Sequence, residues 1–282
     1  MSASASRLVL LGTGGGPTPK VARSAPAFAV VVDGVTYIVD CGNGVARQMA
    51  KAALPFRSLR AVFITHHHSD HNADYGNLFL LLWAAGLNAP VDAYGPPPLA
   101  RMTEQFLELN AYDIATRIAD EGRPLLAPLM RAHDIAGAGE VYRDERVRVT
   151  CALVKHPPVV PAFAFRFDTP DRSIVFSGDT APCDSLVELA QGADVLVHEV
   201  LYEPALDAIC ARLDNATRLR QHLLDSHTTE KQVGVVARAA GVKCLVLSHF
   251  VPADSVADEQ WREAAARDFD GKIVLGHDLM EL

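Results

Sequence analysis

The sequence predicts an α/β fold, and three observations predict it. Short β-rich apolar runs alternate with segments of helical periodicity along the chain. The alternation happens twice, since each half opens with a meander of strands and closes with strands and helices in turn. The 282 residues are 49% hydrophobic and 21% charged, and no segment is polar and biased enough to stay unfolded. Such a duplicated order would set two sheets face to face with helices outside, a four-layer αββα sandwich, although pattern alone leaves other α/β arrangements open. One compact domain over residues 1–282 is expected, with a helical insertion at about 200–226.

Leu8–Leu11 is a short apolar run stopped by glycines. Ala27–Val32 and Thr36–Val39 are rich in valine and flank Asp33-Gly34, a dipeptide that tight hairpin turns favour. Ala61–Thr65 reads as a further strand, and Asn72–Gly86 and Ala100–Asp120 as helices. Gly95-Pro96-Pro97-Pro98 interrupts them. Val147–Lys155, Ala162–Phe167 and Ser173–Phe176 open the second half as strands. Asp184–Gln191 reads as a helix, Val195–His198 as a buried strand, and Pro204–Asp225 and Thr229–Ala240 as helical. Cys244–Leu247 and Lys272–Leu275 close the chain as strands.

The bulk properties bound the partners. The formal charge is −8, lysine and arginine are outnumbered, and there is no basic run, so nucleic acid is not the expected partner. The longest apolar stretch, Leu78–Leu87, is half of the roughly 20 residues that span a bilayer, so no membrane is expected. Leu8–Leu11 is too short for a signal-peptide core. Five scattered cysteines without a CxxC pair suit a reducing cytoplasm, each as a small buried hydrophobe.

The chemistry concentrates after Ala61-Val62-Phe63-Ile64. That apolar run delivers His66-His67-His68-Ser69-Asp70-His71, four imidazoles and a carboxylate in six residues. Imidazole nitrogen and carboxylate oxygen suit zinc and its first-row neighbours. Side chains two apart in an extended segment share a face, so His66 and His68 can bind one ion together while His67 points elsewhere. Asp70 and His71 follow as the chain turns and can reach a second ion.

Thr65-His66-His67-His68-Ser69-Asp70-His71 resembles the THxHxDH signature of the metallo-β-lactamase superfamily, and Asp40-Cys41-Gly42 its DxG turn. The resemblance implies the αββα fold and three further ligands at strand ends: His156, Asp179 and His249. On that reading His66, His68 and His156 hold one divalent ion and Asp70, His71 and His249 a second. Asp179 and a water or hydroxide bridge them. Zn2+ is the expected metal, with Mn2+ or Fe2+ as alternatives.

Other stretches resemble the ribonuclease Z-like branch. They are Leu10–Pro17 with Lys20 and Arg23, Gly178–Cys183 continuing to Asp194–Glu199, and Ser226-His227-Thr228-Thr229. The resemblance implies a homodimer and adds Glu199 and His227 to Asp70 as catalytic residues, Glu199 orienting His227 toward the scissile ester. His198 reads as a buried partner. The long basic arm of true ribonuclease Z enzymes is not found. A helical stretch with Leu201, Tyr202, Leu206, Ile209, Leu213, Leu219 and Leu223 takes its place, as a lid or as a pair packed on the body.

Asp70–Tyr75, Leu82-Trp83 and Tyr94-Gly95-Pro96-Pro97 look like the arylsulfatase-like subgroup, and Trp83, Phe106, Tyr112 and Tyr202 could line a pocket for an aryl group. The expected activity is therefore a binuclear metal-dependent hydrolase cleaving small phosphodiesters or aryl sulfate esters, a small anionic ester being the partner. One alternative is a lactonase or β-lactamase-like hydrolase, though those branches do not need His227. A second is a tRNA 3′-processing endonuclease. A third is an iron-dependent oxidoreductase of the same fold, which would carry an acidic residue where His68 stands. A binding module with structural zinc would close its site with four ligands, fewer than the seven here.

Overall fold

A computed structural model describes residues 6–213 and 217–282. The first half builds a meander from β1 (Arg7–Gly12), β2 (Ala27–Val32) and β3 (Val35–Val39). The hairpin β2–β3 turns on Asp33 and Gly34, both at positive φ (49° and 77°), as the dipeptide foretold. Helix α1 (Val45–Lys51) leads to β4 (Leu59–Phe63). Helices α2 (Ser69–Asn72) and α3 (Tyr75–Ala84) lead to β5 (Val91–Gly95). Helices α4 (Leu99–Leu109) and α5 (Ala111–Glu121) lead to β6 (Met130–Asp134).

The second half repeats the plan. β7 (Gly139–Arg143), β8 (Arg148–Leu153), β9 (Phe163–Asp168) and β10 (Ser173–Phe176) form an antiparallel meander. α6 (Asp184–Leu189) precedes β11 (Val195–Leu201). α7 (Leu206–Cys210), α8 (Leu219–Ser226) and α9 (Val233–Ala240) precede β12 (Cys244–Val251). α10 (Asp258–Ala266) precedes β13 (Lys272–Leu275), and β14 (Met280–Glu281) returns to the first sheet beside β1.

Among the described residues the strands make two seven-stranded sheets, ordered β14-β1-β2-β3-β4-β5-β6 and β13-β12-β11-β10-β9-β8-β7. In each, an antiparallel meander passes into a parallel run, β3 to β6 and β10 to β13. Side chains alternate faces along a strand. Phe28, Val30 and Val32 of β2 therefore join Phe63, Phe165, Phe167 and Phe176 between the sheets. Ala27, Ala29 and Val31 meet Met49, Phe79, Leu82 and Trp83 of the outer helices. The second sheet turns Val175, Leu196 and Leu245 outward onto Val233, Ala237 and Trp261. The result is the four-layer αββα sandwich. Strands covered on both faces explain why their sequences are unbroken apolar runs.

The boundaries differ from the sequence reading where tertiary contacts decide. The helix expected over Ala100–Asp120 breaks at Asn110, whose side-chain amide donates to the Phe106 carbonyl (2.9 Å) and ends α4. The helical reading of Pro204–Asp225 resolves into α7 and α8, and positions 214–216 lie outside the described residues. That pair buries Leu206 and Leu223 against Leu201 at the end of β11, so it packs on the body. β5, β6 and β7 were not read as strands, because Asp92, Arg131, His133, Asp134 and Glu140 break the apolar alternation.

Candidate metal centre

The side chains expected at the site collect where β4, β8, β10 and β12 end, at one edge of the two sheets. His66 and His68 follow β4, Asp70 and His71 lie on α2, and His156 follows β8. Asp179 follows β10, and His249 lies in β12. The structure brings all seven together. His66, His68, His156 and Asp179 form one group, and Asp70, His71, Asp179 and His249 a second, each with potential ligand atoms within 4.8 Å of one another. Asp179 belongs to both.

Two local devices aim these groups. The ladder between β11 and β12 passes from Glu199–Ser248 to Val200–Phe250, so His249 is the extra residue of a β-bulge. Its φ of 46° turns the ring toward the site. Asp179 is set by Gly178, whose φ is +59° and where a Cβ would lie 2.8 Å from the Phe163 carbonyl oxygen. His67 turns away, its Nε2 on the Pro96 carbonyl (2.7 Å) and its Nδ1 on Asn72 (3.0 Å).

Whether these residues fit cations depends on where their hydrogens lie. Asp40 accepts from the Thr65 backbone N–H (2.8 Å), the Thr65 hydroxyl (3.0 Å) and His71 Nδ1–H (2.8 Å). Having given its hydrogen to Asp40, Thr65 Oγ1 accepts from His66 Nδ1–H at 3.0 Å. His156 Nδ1–H donates to the Ser226 carbonyl at 2.9 Å. The second nitrogens of His66 and His156 are thereby left as lone pairs. His66 Nε2 and His156 Nε2 lie 3.1 and 3.0 Å from His68 Nδ1, which has at most one hydrogen to give. Nitrogens so spaced are close to the edge, about 3.3 Å, of a tetrahedron around zinc.

The second group gathers two carboxylates around its imidazoles. His71 Nε2 lies 3.3 Å from Asp179 Oδ1 and 3.6 Å from Asp70 Oδ2, yet has no hydrogen-bond partner. His249 Nε2 is 3.2 Å from Asp179 Oδ2 and 3.4 Å from Asp70 Oδ2, and Gly16 N–H donates to Asp70 Oδ2 at 2.9 Å. Burial keeps His66 and His68 below the usual imidazole range and brings His156 down to about 4, so all three are neutral. At Asp179 burial is outweighed by His249 and His71, which hold the carboxyl well below its usual range. At His71 burial is outweighed by Asp179, Asp40 and Asp70, which favour positive charge at that point. Neutral imidazoles in the first group and ionised carboxylates in the second are a donor set that cations satisfy.

Beside this centre, His227 Nδ1–H donates to Glu199 Oε2 at 2.8 Å, and Glu199 Oε1 accepts from the Thr180 backbone at 2.6 Å. Burial pushes the Glu199 carboxyl up while His227 pulls it back. Burial lowers His227, but Glu199, Asp179 and Asp70 outweigh it and carry the imidazole up to about 9. The pair's proton therefore resides on His227 at neutral pH. His198 is fully buried and donates through Nδ1 to the Glu199 carbonyl (2.8 Å), a partner inside the fold.

A pocket of about 230 Å³ opens onto the centre, lined by His68, Asp70, Asp179 and His227 together with Leu219, His222 and Leu223 of α8. The four aromatics expected there lie elsewhere. Trp83 is buried on α3 with its indole N–H on the Pro124 carbonyl (3.0 Å), and Phe106 packs over Gly76. Tyr112 is exposed on α5, and Tyr202 packs edge-on against Trp261. Sequence reasoning also passed over Asp40 as the holder of His71, and over His222. The first acts across a fold-dependent contact, and the second sits in a helix whose place over the site no local pattern shows.

The chain matches the family described as Beta-lactamase superfamily domain over residues 36–250. It is 36% identical over 280 residues to a protein named Ribonuclease Z from Mycobacterium bovis (strain BCG / Pasteur 1173P2), the match covering 96% of both chains. Among solved structures it superposes on the short form of human tRNase Z with a TM-score of 0.71 and 22% identity, covering 98% of both. It superposes on the metallo-beta-lactamase fold protein YhfI from Bacillus subtilis with a TM-score of 0.73 and 20% identity, again over 98% of both.

These relatives correct two expectations. A small anionic ester as the partner, and the exclusion of nucleic acid, both give way to nearly full-length similarity to a protein named for a ribonuclease. The exclusion rested on the charge of −8 and the missing arm, the small ester on the likeness of Asp70–Tyr75, Leu82-Trp83 and Tyr94–Pro97 to the arylsulfatase-like subgroup. Net charge sums the whole surface, whereas a polyanion is recognised by the field at one cleft. Among the described residues, no helix is long and apolar enough to cross a membrane.

Proposed function

The chain belongs to the metallo-β-lactamase superfamily, and from that premise we propose that it is a metal-dependent phosphodiesterase acting on RNA, an endonuclease of tRNA 3′ ends. The reading is supported by the name carried by its relatives across 96% of both chains. The observation that carries it in this chain is the Glu199–His227 pair, held at 2.8 Å beside two histidine–aspartate groups that share Asp179.

His66, His68 and His156 would hold one divalent ion, and Asp70, His71 and His249 the other, with Asp179 between them. Zinc is the metal their nitrogen and oxygen donors suit best. Such ions supply Lewis acidity toward phosphoryl oxygen and a water of lowered pKa. The chain's own part is positional and protonic. Asp40, Thr65 and the Ser226 carbonyl fix three ligand rings in one tautomer. His227, charged at neutral pH and anchored through Nδ1, keeps Nε2–H for the oxygen leaving phosphorus as the P–O bond breaks. Glu199 holds the ring in place and stabilises its charge.

The test is cleavage of a precursor tRNA with a 3′ trailer, beside bis-p-nitrophenyl phosphate, p-nitrophenyl sulfate, a lactone and nitrocefin. Protein purified without chelator should carry about two ions per chain. His227→Ala should keep them and lose about 100-fold or more in kcat. Inability of the fully loaded protein to cleave the precursor would sink the RNA reading. Undiminished activity of the His227 variant would sink the acid role.

A further inference from the structure

Helix α8 is tied to the centre at its C-terminal end. The Ser226 carbonyl accepts from His156 Nδ1 (2.9 Å), the Ser226 hydroxyl donates to the Pro157 carbonyl, and His227 follows directly. Leu223 is buried on the same helix. One turn before Ser226, and therefore on the same face, stands His222.

The His222 ring is 6.1, 6.2 and 6.1 Å, centroid to centroid, from His68, His156 and His227. The three rings of the first ligand group are closer together, at 4.6 to 4.9 Å. His222 therefore stands one shell out, across the pocket it lines, with space before it for part of a substrate. Its Nδ1 lies 3.4 Å from Ser226 Oγ. Because the hydrogen of that hydroxyl goes to Pro157, Ser226 Oγ can only accept from His222. Nδ1 is then the protonated nitrogen, and Nε2 is left as a hydrogen-bond acceptor. Ions held by His68, Asp70 and Asp179 in the pocket wall would suit the anionic part of a phosphodiester. An acceptor among them needs a donor, and the donor a ribonucleotide carries beside its phosphate is the ribose 2′-hydroxyl.

We infer that His222 is a specificity-determining residue that accepts a hydrogen bond from a ribose 2′-hydroxyl next to the scissile phosphate, so that the pocket discriminates RNA from DNA. The inference rests on the endonuclease reading above. It assigns α8 a contact with substrate in addition to its packing on the body.

The experiment compares precursor substrates that carry a single 2′-deoxy substitution at either nucleotide flanking the cleaved bond. In the wild type, one of the two should lower kcat/KM about tenfold, the size of one hydrogen bond. In His222→Ala the all-ribose substrate should be cut about tenfold more slowly, and the deoxy substitution should cost nothing further. His222→Gln, whose amide oxygen also accepts, should restore part of the discrimination. Metal content should be the same in all three proteins. A binding measurement gives a second readout: the anisotropy of a labelled ribo-oligonucleotide product should show tighter binding than its deoxy counterpart in the wild type and equal binding in His222→Ala. Discrimination that persists in His222→Ala, or is absent in the wild type, overturns the inference alone. Failure of the wild type to cut any RNA overturns the endonuclease reading and the inference with it.

Discussion

Asp40 stands at positive φ (62°), fully buried, and accepts three hydrogen bonds from Thr65 and His71. A carboxylate in that position fixes the tautomer and tilt of His71 and, through the Thr65 hydroxyl, of His66. Asp40→Asn keeps the shape but weakens both grips. Its affinity for zinc, measured by competition with a chromophoric chelator, is expected to fall about 10- to 100-fold. An unchanged affinity would mean that the rings are held by packing alone. The run from His66 to His71 was readable in the sequence because its donors are neighbours in the chain. His156, Asp179 and His249 stand alone in theirs, so only the family resemblance pointed to them. Asp40 as an orienting group, the Gly16 N–H on Asp70, and His222 could not be read, since each depends on a contact between distant segments.

Elements carry the site by their ends and their irregularities. Apolar runs placed β2, β10 and β13 at the bounds found in the structure. The bulge at His249 left no such trace, because a bulge is defined by the partner strand. A joint between the two sheets was equally hidden. Asp144 accepts from the Tyr37 hydroxyl of β3 (2.7 Å), the Tyr142 hydroxyl of β7 (2.9 Å) and the backbone N–H groups of Arg146 and Val147. Burial pushes its pKa up, but these hydrogen bonds outweigh it and hold the carboxyl below its usual range. A folded pKa below the unfolded one means stability that is present at neutral pH and lost as pH falls through the folded value. The stability gap between wild type and Asp144→Asn, from urea unfolding, is therefore expected to close as pH drops below about 4. A gap independent of pH would show that Asp144 does not anchor the joint as a carboxylate.

At the scale of the whole molecule, the twofold succession of meander and strand–helix alternation led to an α/β fold, and the resemblance carried by one short motif was needed to single out the αββα sandwich. Substrate class was not legible, because a summed charge of −8 says nothing of where the positive charge lies. The centre also draws on both halves: four of its residues follow β4 and three belong to the second sheet's half. Ions bound there would join the halves and would bind the native state alone. Removing them with a chelator is expected to lower Tm by roughly 10 °C, read by calorimetry. A melting curve unmoved by chelation, in protein shown to have lost its metal, would mean that the sandwich is held by its core alone.

The small strand β14 has a consequence for biosynthesis. It pairs with β1, Leu8 and Leu282 exchanging two backbone hydrogen bonds of 2.9 Å. Translation supplies β1 long before β14. While the ribosome is still at work, β1 presents a row of unsatisfied amides along its outer side, the kind of surface on which nascent chains stick to one another. The later strand thus shields the earlier one, and a chaperone that covers β1 would be needed only until β14 arrives.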